Sequence, residues 1–233
     1  MTTPDDLSFF ERAAYLADAD TVVLADLHLG RARASNVEFP VDERGELLGR
    51  VDDLLDRTDP AVVVVAGDLL HAFSTVPHGV AETVSDIADR VAAAGAAFAV
   101  TPGNHDSMLD AVFDGRIEPE LELGESTVVC HGHQAPERDA ERYVIGHDHP
   151  AIEIEGERHP CFLYGPGVYR GSDVLALPAF TPLARGVAVN GARSGDLQSP
   201  LLARPGRFRP IVRDAAGEET LPFPPLSKLR EHL

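Results

Sequence analysis

The chain has 233 residues, 44% of them hydrophobic, with a mean hydropathy of −0.08, as suits one ordinary globular domain with a core of its own. Apolar runs such as 61–66 fall far short of the roughly 20 residues a membrane helix needs, early acids stand where a basic leader would, and two cysteines, Cys130 and Cys161, are too few for a disulfide framework, so a cytoplasmic protein with core thiols is expected. A formal charge of −18 with 38 acids, and Lys228 as the one lysine among 20 basic residues, predicts a surface adapted to high salt; it argues against a nucleic-acid partner only in dilute buffer, since the Debye length is about 3 Å near 1 M.

The first half alternates β-branched runs with helical stretches: a strand near 21–25, a helix near 41–57, a strand at 61–66, a helix near 79–94 and a strand near 96–101. This is an α/β pattern with parallel strands. In the second helix Val80, Val84, Ile87, Val91 and Ala94 form one face, Glu82, Asp86, Asp89 and Arg90 face solvent, and Gly95 stops it. From about 126 the strands crowd together, near 126–130, 142–146, 151–155, 159–164, 173–177 and 185–189, predicting hairpins and an antiparallel or mixed second sheet. Segment 191–233 is rich in Pro and Gly, including Pro200, Pro205, Gly206, Pro210, Pro222, Pro224 and Pro225, which predicts an edge strand near 207–213 and an extended tail. With no repeat and no linker, residues 1–233 read as a single domain whose motif-bearing core spans about 20–190.

Five predicted strands run into residues of metal-ligating type: 21–25 into Asp26 and His28, 61–66 into Asp68, 96–101 into Asn104 and His105, 126–130 into His131, and 142–146 into His147 and His149. The carboxyl ends of parallel strands share one sheet edge, where loops bring distant residues to one point. Asp26 and His28, two apart on an extended turn, can bind one ion. Gly67 lets the backbone turn sharply, and the two oxygens of Asp68 could bridge two ions. Asn104 offers a neutral carbonyl, while the adjacent His105 points toward substrate. Such mixed oxygen and nitrogen donors suit Mn²⁺, Fe²⁺ or Zn²⁺ better than Mg²⁺ or Ca²⁺.

The blocks DLHLG (26–30), GDLLH (67–71), GNHD (103–106), His131 and GHDH (146–149) resemble, in order and without a gap, the pattern of the calcineurin-like metallophosphoesterase family. The resemblance implies a four-layer αββα sandwich of two mixed β-sheets flanked by helices. It implies two divalent ions, Mn²⁺ first and Fe or Zn as alternatives, one on Asp26, His28, Asp68 and His149, the other on Asp68, Asn104, His131 and His147. His105 would be the general acid that protonates the leaving oxygen, with Asp106 as the partner that orients it. DLHLG, GDLLH, GHDHP, PCF (160–162) and LPAF (177–180) look more narrowly like the subgroup of ligase-associated DNA-repair phosphoesterases. After LPAF the chain departs from that subgroup, reading Thr181-Pro182-Leu183-Ala184-Arg185-Gly186 where small, glycine-rich residues are usual.

Arg31 and Arg33 follow the first motif and could clamp a phosphate, though exposed arginines are more often solvated. His71 and His133 lie within motif loops, where an orienting role and a simple structural one stay open; His78, His159 and His232 read as ordinary polar residues. The expected activity is hydrolysis of phosphodiesters, DNA or RNA included, as a nuclease. The alternative is a small-molecule phosphatase or cyclic-nucleotide phosphodiesterase. A reading of another class, a scaffold that kept the fold and binds a protein partner, is opposed by the fact that every ligand position is filled.

Overall fold

The computed structural model describes residues 4–31, 43–72, 74–214 and 219–229. The first half comprises β1 (Leu7–Phe10), β2 (Ala13–Leu16), β3 (Thr21–Leu24), α1 (Glu43–Thr58), β4 (Val62–Val65), α2 (Val80–Ala93), β5 (Ala97–Val100) and β6 (Arg116–Ile117). They form sheet 1 in the order β1-β2-β3-β4-β5-β6, antiparallel across β1, β2 and β3 and parallel from there on. Its central strands read as unbroken apolar runs because both faces are buried. Val22, Leu24, Val63, Val65 and Val100 pack on the helix side with Leu48, Val51, Val84 and Ile87. Val23, Val64 and Ala99 alternate with them and face the second sheet.

The second half supplies β7 (Glu120–Leu123), β8 (Thr127–Cys130), β9 (Arg142–Ile145), β10 (Pro150–Ile154), β11 (Glu157–Tyr169), β12 (Ser172–Ala176), β13 (Val187–Ala188), β14 (Arg209–Asp214), β15 (Glu219–Pro222) and α3 (Leu226–Leu229). Sheet 2 runs β13-β10-β11-β12-β9-β8-β7, with β14 and β15 added beside β11. It is mixed: β8, β9 and β12 are parallel, the hairpins antiparallel. The two sheets share a core in which Phe9, Val23 and Val64 meet Val129, Val144, Phe162 and Leu175.

The expected α/β sandwich of two mixed sheets is what forms, with one difference in its outer layer. Sheet 1 is covered by two full helices. Sheet 2 is covered by short turns, Pro200–Leu202 and Pro205–Arg207, and by α3, through Leu201, Leu202, Phe208, Leu226 and Leu229. The strand expected at an edge, β14, lies between β11 and β15; the segment after it folds back as β15 and α3, so it is no extended tail. Ala94 is not on the buried face of α2: the helix ends at Ala93, and Ala94 is its exposed C-cap. Among the described residues no helix is long and apolar enough to cross a membrane.

Candidate metal centre

β3, β4 and β5 end in register, Leu24 beside Val65 and Val65 beside Val100. The loops that follow keep pairing: Ala66 N donates to Leu24 O, Asp26 N to Gly67 O, His28 N to Asp68 O and Leu29 N to Leu69 O, all at 3.0 Å or less. The first two motifs are thus a prolongation of sheet 1, which fixes Asp26, His28 and Asp68 on rigid backbone. β8 and β9 end beside each other, Cys130 opposite Ile145, and deliver His131, His147 and His149 from sheet 2.

The local backbone shows what this convergence costs. Asp26, His28, Asp68, His147 and His149 all have left-handed φ, between 47° and 74°, a region that costs a non-glycine residue roughly 1–3 kcal/mol and persists where surrounding structure enforces it. The motif glycines have a steric reason. A Cβ at Gly67 would overlap the His131 ring, one at Gly103 the Asp68 carboxylate, and one at Gly146 would stand 2.6 Å from Asp26 Oδ2.

Asp26 Oδ1 lies 3.1 Å from His149 Nε2, which is 3.2 Å from His28 Nε2. Asp68 Oδ2 is 3.9 Å from His28 Nε2 and 3.6 Å from His131 Nε2. His131 Nε2 is 3.2 Å from both Asn104 Oδ1 and His147 Nδ1. Ligands held about 2.1 Å from one cation, at tetrahedral or octahedral angles, stand about 3.0–3.5 Å from each other, and most of these spacings are of that kind. Hydrogen bonds alone do not account for the cluster, since Asp26 Oδ1 is buried without a well-formed one. Asp26, His28 and His149, and likewise Asp26, Asp68 and His131, bring one donor atom each to within 4.8 Å of one another. This donor set fits divalent cations.

Burial pushes Asp68 up to about 8, against the pull of the His105 N–H that its Oδ1 accepts at 2.9 Å. Burial also brings His28 down to about 3 and His131 down to about 4, in spite of Asp26. Both imidazoles are therefore neutral near pH 7, the form that ligates, and Asp68 carries a proton that a cation would displace.

Residues 20–170, which contain all seven of these side chains, match the family of calcineurin-like phosphoesterases. The chain belongs to that family. Membership places it in a hydrolase class that uses divalent metal on phosphate esters. Among solved structures the fold is similar to that of the nuclease MPE of Pseudomonas putida, at a TM-score of 0.63 and 22% identity over 91% of this chain and 92% of that one. YfcE, a phosphoesterase from E. coli, aligns over 88% of this chain and 98% of its own, at 17% identity and a TM-score of 0.43. No curated protein matches the sequence.

In this calcineurin-like phosphoesterase the other expected residues fall into place unevenly. The His105 ring stacks on His71, centroids 4.8 Å apart at 17°, and meets His28 edge-on at 5.2 Å. Burial, then His71 and Arg31, holds His105 below the ordinary histidine range. His71 thus belongs to the centre itself, and His133 lies beside it, 5.1 Å from His131. Asp106 is spent on backbone: its carboxylate accepts from Leu69 N at 3.3 Å, Leu70 N at 2.7 Å and Gly103 N at 2.8 Å. It ties the second motif loop to the third where an orienting contact to the His105 ring was expected. Arg31 is half-buried, near enough for its charge to help lower His28, His71 and His105; Arg33 lies outside the described residues. Burial raises the Cys130 thiol to about 12, and Cys161 higher still, as core thiols require.

Sequence reasoning missed Asp148. This buried carboxylate, between two candidate ligand histidines, accepts from Gln198 N at 2.7 Å and Ser199 N at 2.9 Å and so moors the GHDH turn to the C-terminal segment. Its one signal was an acid placed between two ligands.

Proposed function

We propose that this phosphoesterase holds two divalent ions, one on Asp26, His28, Asp68 and His149 and the other on Asp68, Asn104, His131 and His147, and hydrolyses phosphodiesters, DNA included. The observation that carries this reading is Asp68 Oδ2, which faces His28 Nε2 at 3.9 Å and His131 Nε2 at 3.6 Å, the position a bridging carboxylate needs. Two bound ions supply a water of lowered pKa and neutralise the charge that develops on the phosphate.

The chain's own groups prepare that chemistry. Asp68 Oδ1 is occupied by His105 N–H, which leaves Oδ2 to both halves of the centre. His131 Nδ1 stands 3.2 Å from Ala66 O; an N–H donated there fixes the tautomer that turns the Nε2 lone pair inward. His105, with Nε2 3.9 Å from Asp68 Oδ2, takes up a proton beside an anionic substrate and passes it to the leaving oxygen. The charge of Arg31 favours a phosphate at the same spot. Diesters and DNA are favoured by the resemblance of DLHLG, GDLLH and GHDHP to ligase-associated DNA-repair phosphoesterases, and a protein named as a nuclease carries this fold.

The second reading is a small-molecule phosphatase, favoured by the net charge of −18, which repels a polyanion in dilute buffer. The test strips the protein of metal in high-salt buffer, restores Mn²⁺, Fe²⁺ or Zn²⁺, and compares bis-p-nitrophenyl phosphate, p-nitrophenyl phosphate and single-stranded DNA. Mn²⁺-dependent cleavage of the diester and DNA is the expected result. Turnover of the monoester alone would replace it with the phosphatase reading, and a folded protein that no ion activates would be a scaffold.

A further inference from the structure

Ala179, Phe180 and Thr181 present three consecutive carbonyls to two guanidiniums. Arg12, in the turn between β1 and β2, donates from Nη1 to Ala179 O at 3.0 Å and to Thr181 O at 2.8 Å. Arg50, on α1, donates from Nη1 to Phe180 O at 2.8 Å and from Nε to Glu11 at 2.7 Å, and its guanidinium carbon sits 4.0 Å from the centre of the Phe180 ring. Burial, then the neighbouring Arg50, brings Arg12 down to about 10.

These carbonyls lie where the chain crosses from one sheet to the other. Leu177 N donates at 2.8 Å to Ile145 O, just ahead of Gly146 and His147. Three residues later Phe180 N donates at 2.7 Å to Ala25 O, just ahead of Asp26. Leu177 belongs to the core between the sheets, whereas Phe180 is sunk in the core beneath the helices of sheet 1. The segment therefore spans the two strand ends that carry the two halves of the centre. The shared core resists separation of the sheets, but apolar contact is non-directional and resists small sliding poorly. Coordination tolerates only about 0.2 Å. Hydrogen bonds are directional: Leu177 N and Phe180 N supply two across this segment, and the guanidinium N–H groups on the 179–181 carbonyls add three more.

We propose that Arg12 and Arg50 are positioning residues of the metal centre: by clamping residues 179–181 they set the distance between the ligands of sheet 1 and those of sheet 2. The proposal rests on the dinuclear reading above.

The test uses full-length protein, metal-free, as wild type, Arg12→Lys, Arg50→Lys and a control, Val84→Ala, which destabilises the buried face of α2 without removing a bond of the clamp. The lysine stem ends one bond short of Nη1, the single nitrogen from which Arg12 reaches both carbonyls and Arg50 reaches Phe180 O, so an ammonium does not stand in its place. Mn²⁺ is titrated calorimetrically, the paramagnetic resonance of the loaded pair is recorded, and urea midpoints rank stability. Arg12→Lys is expected to weaken binding of at least one Mn²⁺ tenfold or more and to change the spin-coupled signal, while Val84→Ala, at equal or greater loss of stability, binds as wild type. Arg50→Lys is expected to show the same weakening and takes the place of Arg12→Lys should that variant not fold. Unchanged Mn²⁺ affinities and signal in the arginine variants, or an equal loss in Val84→Ala, would overturn the proposal. Wild type binding fewer than two Mn²⁺ would overturn the dinuclear reading itself, and this one with it.

Discussion

Asp68 and His105 are neighbours with separable duties. In the proposed centre one carboxylate serves both ions, so Asp68→Asn is expected to lose metal. His105 is in neither ligand set, so His105→Ala is expected to keep metal and lose turnover by about 10²–10⁴-fold, the usual worth of a positioned acid, most on poor leaving groups and least on p-nitrophenolate. Equal metal loss in both variants would sink that division of roles. Protonation adds a second prediction. With His28 at about 3 and His131 at about 4, those imidazoles have no proton to give up at pH 7. Asp68, at about 8, has one. Binding should therefore release about one proton at pH 7 and almost none by about pH 9, and affinity should rise with pH up to about 8 and then level off. Mn²⁺ titrations in buffers of differing ionisation enthalpy count that proton; release of two or three would mean the histidines were charged.

At the scale of elements, α3 is the piece most at odds with an extended tail. Leu226 is fully buried in the outer core of sheet 2, so Leu226→Ala is expected to cost about 2–5 kcal/mol in urea unfolding while Mn²⁺ affinity stays at the wild-type value; no loss would mean that the segment is only loosely applied. The sequence hid this because Pro222, Pro224 and Pro225 read as an end to structure, whereas Pro222 closes β15 and Pro224 and Pro225 only interrupt the structure ahead of α3. β3, β4 and β5 were legible for the opposite reason: burial on both faces leaves runs such as Val62–Val65 with no polar residue. The convergence of Asp26, His28 and Asp68, placed just past such runs, was legible with them. The hairpin of β1 and β2, four residues a strand, was too short to show a period. Asp106 was misread because adjacency in a turn says little about direction: the carboxylate points back to Leu69, Leu70 and Gly103. Arg12 and Asp148 bind main-chain groups, which carry no sequence signature; Arg12 lies outside every motif, and Asp148 showed only as an acid between two histidines.

Across the whole molecule the charge of −18 sets the terms on which a polyanion approaches. Most nucleic-acid enzymes lose affinity as salt rises, because cation–phosphate contacts release counterions. Here the dominant long-range force is repulsion, so raising KCl from about 0.1 M to about 1 M, which shortens the Debye length from about 10 Å to about 3 Å, should lower KM for single-stranded DNA and leave that for bis-p-nitrophenyl phosphate nearly unchanged. A steep rise of the DNA KM with salt would show that a local basic contact outweighs the net field. The span 20–170 that carries the family likeness holds every proposed ligand, yet the turn bearing Arg12, the 177–181 crossing and the amides that moor Asp148 all fall beyond its limits. A fragment cut at those limits would keep the whole inventory of donors and lose the scaffolding that spaces them. On the dinuclear reading it would be a chelating peptide, competent to collect ions and unable to hold them as a pair, with kinship written in the middle of the protein and competence at its two ends.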